Sequence, residues 1–329
     1  MNLQIRHKVM VYGLWFMVYG LILCSCTKTS LYKDKFVISG TYLEVASPCK
    51  EAASVVYAEF KRLDKIFNFY DPQSEISRLN KTYNTPFNTS EELIEILVLS
   101  KQASQLTNNA FDVSCGSLYD FWKKWIRQNS PKELPSKEEV EKLKRTCGMH
   151  NLEINYHKNT VLIKKQGLKI DLGGIAKGYM VDKAVLKLKE KGIDSALINA
   201  GGDIYCLGKN GDNPWSVGVK DPKGAKEIIE TERLVDEAIA TSGNYEQFFQ
   251  LQGKRYSHII DPRSGYPVQN NISSVSVISE YCSTTDGLAT AFFVMGLEGI
   301  KEFLARTPST MRIFVVTQDE KGMHTHIFK

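Results

Sequence analysis

Histidine and cysteine are scarce, 6 and 7 in 329 residues, and neither set is arranged for the common metal or redox chemistries. No C-x-x-C occurs, and no His lies at zinc-type spacing from a Cys or a second acid, which argues against a dithiol oxidoreductase and a zinc framework. The G-x-S-x-G elbow, the H-E-x-x-H helix, the Walker A loop and the G-x-G-x-x-G turn are all missing, so the usual hydrolase, metalloprotease and nucleotide-fold signatures fail. Charge of one sign is also lacking. Lys+Arg 42 against Asp+Glu 37 leaves a formal +5, part of it in the N-terminal segment and the rest scattered among acids, so no nucleic-acid footprint is expected. No stretch rich in Pro, Gly or Ser divides the chain, and composition gives no sign of repeats or disorder.

What is present begins with an apolar run. Arg6, His7 and Lys8 precede residues 9–23, a run of signal-peptide length that ends in Leu23-Cys24-Ser25-Cys26. This resembles a bacterial lipobox. Cys26 has small Ser25 before it and branched Leu23 three before, whereas Cys24 would put bulky Leu23 at the cleavage position, so Cys26 is the better lipidation site. An uncleaved N-terminal anchor is the alternative, and either route exports the remainder and ties it to a membrane. The expected organisation is a signal peptide over 1–25, a tether over 26–35 and one folded domain over 36–329. Cys49, Cys115, Cys147, Cys206 and Cys282 remain. They read mostly as buried thiols, although an exported location permits a disulfide.

Strand-like and helix-like pieces alternate with short connections. Residues 36–45 predict a strand. Ala53, Val56, Phe60, Leu63 and Phe67 recur at helical spacing and predict an amphipathic helix over 50–69. Thr89-Ser-Glu-Glu92 and Ser136-Lys-Glu-Glu139 read as capping boxes opening two further helices. Residues 152–156 and 160–165 suggest a hairpin, followed by a strand into Asp171 and a helix over 176–191. Strands then dominate, at 195–199, 215–220, 238–241, 247–251, 255–260 and 275–279, before a helix over 285–306 and a last strand near 312–317. The succession predicts an α+β fold with largely antiparallel sheets, packed helices and two interleaved lobes around one cleft.

Four segments are candidates for chemistry. Asp286 and Thr290 are four apart in an otherwise apolar run, so on a helix they share one face, where two hard oxygen donors could meet a cation such as Mg²⁺; they equally suit the first turns of a helix. Asp171-Leu-Gly-Gly-Ile-Ala-Lys-Gly178 leads from extended chain into a helix, so small residues, a helix N-terminus and Lys177 come together as an anion site or as a tight connection. Asn199-Ala-Gly-Gly-Asp203 likewise reads as a close backbone approach to a ligand or, more simply, as a β-turn. His258, on a predicted strand just before Asp261-Pro262, is the one histidine in a chemically suggestive setting.

In this order the segments resemble the ApbE family, the FAD:protein FMN transferases of bacterial envelopes. Besides the two Gly-rich segments just quoted, 171–178 and 199–203, the resemblance rests on Tyr70-Asp-Pro-Gln-Ser-Glu-Ile-Ser-Arg-Leu-Asn80, Ala110-Phe-Asp-Val-Ser-Cys-Gly-Ser-Leu118, Thr241-Ser-Gly-Asn-Tyr245, His258-Ile-Ile-Asp-Pro262 and Thr285-Asp-Gly-Leu-Ala-Thr290. It runs from about Gly40 to Gly296. Ser39, where many relatives have an apolar residue near the flavin, and Cys115 are small departures. The resemblance implies FAD as substrate, Mg²⁺ as cofactor and transfer of FMN to a Thr or Ser hydroxyl of a partner protein, with AMP released. By the same resemblance Ser39, Tyr70, Ala110, Phe111, Asp112, Asp171, Lys177, His258 and Ile260 contact the nucleotide. Gly174, Asp286, Ala289 and Thr290 match the metal site, and His258 the residue needed for transfer. The implied acceptor is an envelope electron-transfer subunit, and the expected location is the periplasmic face of the inner membrane, through lipid on Cys26. A Mg²⁺-dependent FAD pyrophosphatase and a non-catalytic flavin-binding lipoprotein are the rival readings.

Overall fold

Short strands, exposed at the sheet edges and buried toward its middle, form the centre of the computed structural model, which describes residues 30–127, 133–222, 228–244, 248–251 and 253–329. Eight of them make one sheet: β1 (Tyr32–Ile38), β2 (Thr41–Ser47), β3 (Ala196–Ala200), β4 (Asp203–Leu207), β5 (Glu237–Gly243), β6 (Ile272–Ser279), β7 (Arg312–Asp319) and β8 (Gly322–Phe328). Their order across the sheet is their order in the chain, and every adjacent pair is antiparallel. Such a sheet needs no parallel crossover, so the long excursions between strands are free to build other things.

The described residues contain seven α-helices: α1 (Ala52–Phe67), α2 (Glu75–Leu79), α3 (Glu91–Leu106), α4 (Gly116–Arg127), α5 (Lys137–Lys144), α6 (Ala176–Glu190) and α7 (Cys282–Arg306). The first six lie between β2 and β3, with a small sheet of Phe87–Asn88, Leu152–Asn155 and Thr160–Ile163. The helical part is thus inserted into the sheet part, the interleaving expected of an α+β chain, and residues 31–329 form one compact unit.

Burial of β6 on both faces follows from what covers the sheet. Val275 and Val277, with Ile313 and Val315 of β7, pack against Phe292, Phe293 and Phe303 of α7. Ile278 and Phe314, on the alternate positions, join Trp215 and Val217 of a separate hairpin, Trp215–Lys220 with Ile228–Leu234. Helix α6 touches both α1 and α7, which brings the start of α6 beside the start of α7.

Four local expectations are corrected. The strand predicted over 36–45 is two strands, β1 and β2, because Ser39 and Gly40 take φ of 52° and 73° and reverse the chain in a two-residue turn. The segment leading into Asp171 is no sheet strand; a single bridge joins Lys169 to Cys115, and the Asp171 N–H donates to the Val113 carbonyl at 2.8 Å. Helix α3 is capped by Ser90, whose hydroxyl accepts from the Leu93 N–H, while Glu92 is drawn into an ion pair with Arg62 at 2.6 Å. Helix α7 starts at Cys282 and breaks at Gly296, where φ is 76°, and the Asn270 amide donates to the Phe293 carbonyl at 2.7 Å. The capping box at Ser136 is present in both its bonds.

Candidate active site

A cleft of about 430 Å³, within the range of small-molecule sites, opens where loops from both parts of the chain converge. One wall comes from the turn after α3. Asn108 and Asn109 hold positive φ of 50° and 59°, and the Thr107 hydroxyl donates to the Ala103 carbonyl and accepts from the Phe111 N–H, so the chain doubles back and delivers Ala110, Phe111 and Asp112 to the cleft. Asp112 is buried, and its Oδ1 accepts from the Ser114 N–H and hydroxyl at 2.8 and 2.5 Å. Burial pushes its pKa above the ordinary carboxylate value, against the pull of those bonds.

The second wall is the Gly-rich turn into α6. Asp171 bonds Lys123 at 3.0 Å through Oδ2 and the Gly173 N–H through Oδ1, which fixes the turn. Gly174 passes so close that an added Cβ would stand 3.1 Å from the Phe111 ring and 3.5 Å from Thr290 Oγ1. A side chain there would crowd both.

Lys177, in the first turn of α6, pairs with Asp203 at the start of β4 and lies 3.9 Å from Asp286 Oδ2. Burial opposes its charge, but the two carboxylates outweigh that and hold its pKa above the ordinary lysine value. Burial pushes the Asp286 pKa up, with Lys177 and the Gly178 N–H, at 3.2 Å from Oδ2, pulling it back. Among the described residues Asp286 Oδ1 accepts no hydrogen bond. One turn along α7, Thr290 Oγ1 donates to the Asp286 carbonyl at 3.3 Å and lies 3.2 Å from Ser242 Oγ. One ammonium between two carboxylates leaves this trio net negative. An oxygen-only donor set with an uncommitted carboxylate oxygen fits a hard cation. No group of three or more His, Cys, Asp or Glu side chains gathers among the described residues, so an ion here would also draw on hydroxyl, main-chain or substrate oxygens.

His258 is half-buried and lines the cleft. It sits in a bend between the strands Lys254–Ser257 and Ile260–Asp261, not within a strand as predicted. Ser39, Ile260, Gly174, Lys177 and Asp171 also line the cleft. Two expected contacts do not. Tyr70 is 55% exposed and stands beside the cleft residue Lys123, whose Nζ is 5.2 Å from its ring centre. Ala289 is wholly buried among the apolar residues between α7 and the sheet, so only its main chain is available. Cys26 lies outside the described residues. Sequence reasoning missed Lys123, Asp203 and Ser242 as cleft residues. Asp203 and Ser242 stand inside quoted motifs, whereas nothing near Lys123 sets it apart from the other basic residues of α4.

Residues 36–315 match the ApbE family. The FAD:protein FMN transferase of Vibrio cholerae serotype O1 is 37% identical over 235 residues, 70% of this chain and 69% of the relative. That of Escherichia coli K12 is 28% identical over 269 residues, 80% of this chain and 75% of the relative. Among solved structures, the flavin transferase ApbE of Vibrio cholerae has a TM-score of 0.80 at 28% identity, covering 91% of this chain and 97% of that one. The apbe protein of Thermotoga maritima has a TM-score of 0.79 at 31% identity, with 91% and 97% covered.

Proposed function

This chain belongs to the ApbE family, and from that premise we propose that it is an FAD:protein FMN transferase: Mg²⁺-dependent, moving FMN from FAD to a Thr or Ser hydroxyl of a partner protein and releasing AMP. The observation that carries the reading is the meeting of Lys177, Asp203, Asp286 and Thr290 in one cleft with His258. A flavin carrier without turnover has no need of two buried acids around one ammonium.

Asp286, Thr290 and the Gly174 carbonyl would hold Mg²⁺. The ion would supply charge neutralisation to the FAD pyrophosphate, most of what a phosphoryl-type transfer needs. Lys177 adds a fixed positive charge toward the same phosphates, kept protonated by its acids. The Phe111 ring and the small residues at Gly173 and Gly174 give the nucleotide a flat, close-fitting wall. His258 takes the proton from the acceptor hydroxyl as its oxygen attacks the FMN phosphorus and AMP leaves as the displaced group. Lipid on Cys26 would keep the enzyme on the periplasmic face of the inner membrane, beside acceptors among envelope electron-transfer subunits.

The test is incubation of the purified protein with FAD and Mg²⁺, with and without a candidate acceptor. AMP only with acceptor, together with an acceptor heavier by one FMN, is expected. AMP in both arms would make it a pyrophosphatase, and none in either a flavin binder.

A further inference from the structure

The site just described uses none of the cysteines. Cys115, Cys206 and Cys282 are buried and Cys49 and Cys147 half-buried, and all five are thiols in this structure. Two of them meet. Cys115 ends the loop that carries Asp112 and is buried in the apolar cluster around Trp122 and Val140, and Cys147, after α5, packs against that cluster. Their chain neighbours are joined, since the Gly148 N–H donates to Ser114 Oγ at 2.7 Å. The nearby Cys147 thiol and burial both raise the Cys115 pKa. We propose that Cys115 and Cys147 are a disulfide site, which cross-links one wall of the cleft to the segment after α5.

The reaction balances as thiol–disulfide exchange with a disulfide oxidant. The half-exposed Cys147 thiolate attacks one sulfur of the oxidant and expels a thiolate; Cys115 then gives up its proton and attacks Cys147 Sγ, expelling the second. Two electrons and two protons pass to the oxidant, which leaves as two thiols. Burial of Cys115 makes it a slow nucleophile in the finished fold, so the bond forms most readily while the chain folds and is then shielded from reductant.

What the bond would hold is specific. The Gly116 N–H donates to the Lys169 carbonyl and the Asp171 N–H to the Val113 carbonyl, both at 2.8 Å, so the loop of Cys115 and the strand-like approach to Asp171 move as one. Val113, Asp112 and Asp171 all line the cleft. A cross-link there also restricts the unfolded chain across the whole α4–α5 excursion, which favours the folded state.

The inference stands apart from flavin transfer and is tested without it. The full chain is equilibrated with glutathione disulfide, unfolded in the presence of an alkylating reagent, digested without reduction and mapped by mass. A linked Cys115 and Cys147 peptide pair, two hydrogens lighter than the separate thiol peptides and lost on reduction, is expected. Both cysteines fully alkylated, or either linked to another cysteine, would overturn the assignment. Melting gives a second readout: the oxidised protein should lose several degrees on reduction, as should Cys49→Ser, while Cys147→Ser should not respond. Should Cys147→Ser fail to fold, the peptide map of the unsubstituted chain decides alone.

Discussion

His258 illustrates how little a single residue type reveals by itself. A lone histidine between two short strands is ordinary, and its claim to chemistry comes from lining the same cleft as Lys177 and Asp286. His258→Ala should lower turnover by roughly two to four orders of magnitude, the usual worth of a positioned acid/base group, with FAD still bound. Flavin titration, melting and AMP release on one sample separate this from a packing role; near-normal flavinylation by a folded variant would end the assignment. Asp286→Ala makes a complementary test. It removes the uncommitted oxygen and leaves Phe111 and Lys177 in place, so Mg²⁺-dependent turnover should be lost while much of the FAD affinity stays. Activity that still climbs with Mg²⁺ as in the unsubstituted protein would take Asp286 out of the ion site.

At the scale of elements, the site depends on how two helix starts are fastened together. The Asp182 carboxylate of α6 accepts from the Cys282 and Ser283 N–H groups at 2.7 and 2.9 Å, capping the helix that presents Asp286 and Thr290. Helix α7 has no capping side chain of its own at Tyr281. Asp182→Ala should therefore cost about 1 kcal/mol, as lost caps do, and reduce turnover more than FAD affinity, with Asp182→Asn recovering part of both. Wild-type melting and turnover in Asp182→Ala would mean that α7 needs no such fastening. Gly178 lies against the same place, since an added Cβ would collide with the Cys282 carbonyl. Gly178→Ala should drive the helices apart at a cost of about 1–3 kcal/mol, as overpacking does, read as a lower melting temperature with a proportionate loss of activity.

The whole molecule adds the question of where it works. If lipid on Cys26 is the tether, Cys26→Ser should leave the protein soluble or unprocessed with FAD binding intact, because Cys26 precedes the compact unit of residues 31–329, whose β1 already takes in residues 32–35 of the expected tether; a cleaved variant that still sediments with membranes would refute this. Much of the larger plan is legible in the chain. The hairpin-like succession of strand-like pieces predicts largely antiparallel sheets, helical spacing predicts α1, and Ser136-Lys-Glu-Glu139 predicts α5, because these patterns are set by contacts a few residues apart. The motifs likewise name Asp171, Lys177, His258, Asp286 and Thr290 before any fold is known. Other features depend on distant partners. Lys123 becomes a cleft residue because Asp171, 48 positions away, faces it; Tyr70 stays largely exposed, with Lys123 of α4 over its ring; and Asp182 caps a helix 100 residues further on. Local sequence determined which elements form and which residues are chemically equipped, while the packing of α6 against α7 and the sheet decided which of them share one site, since side-chain encounters across such separations are set by the fold as a whole.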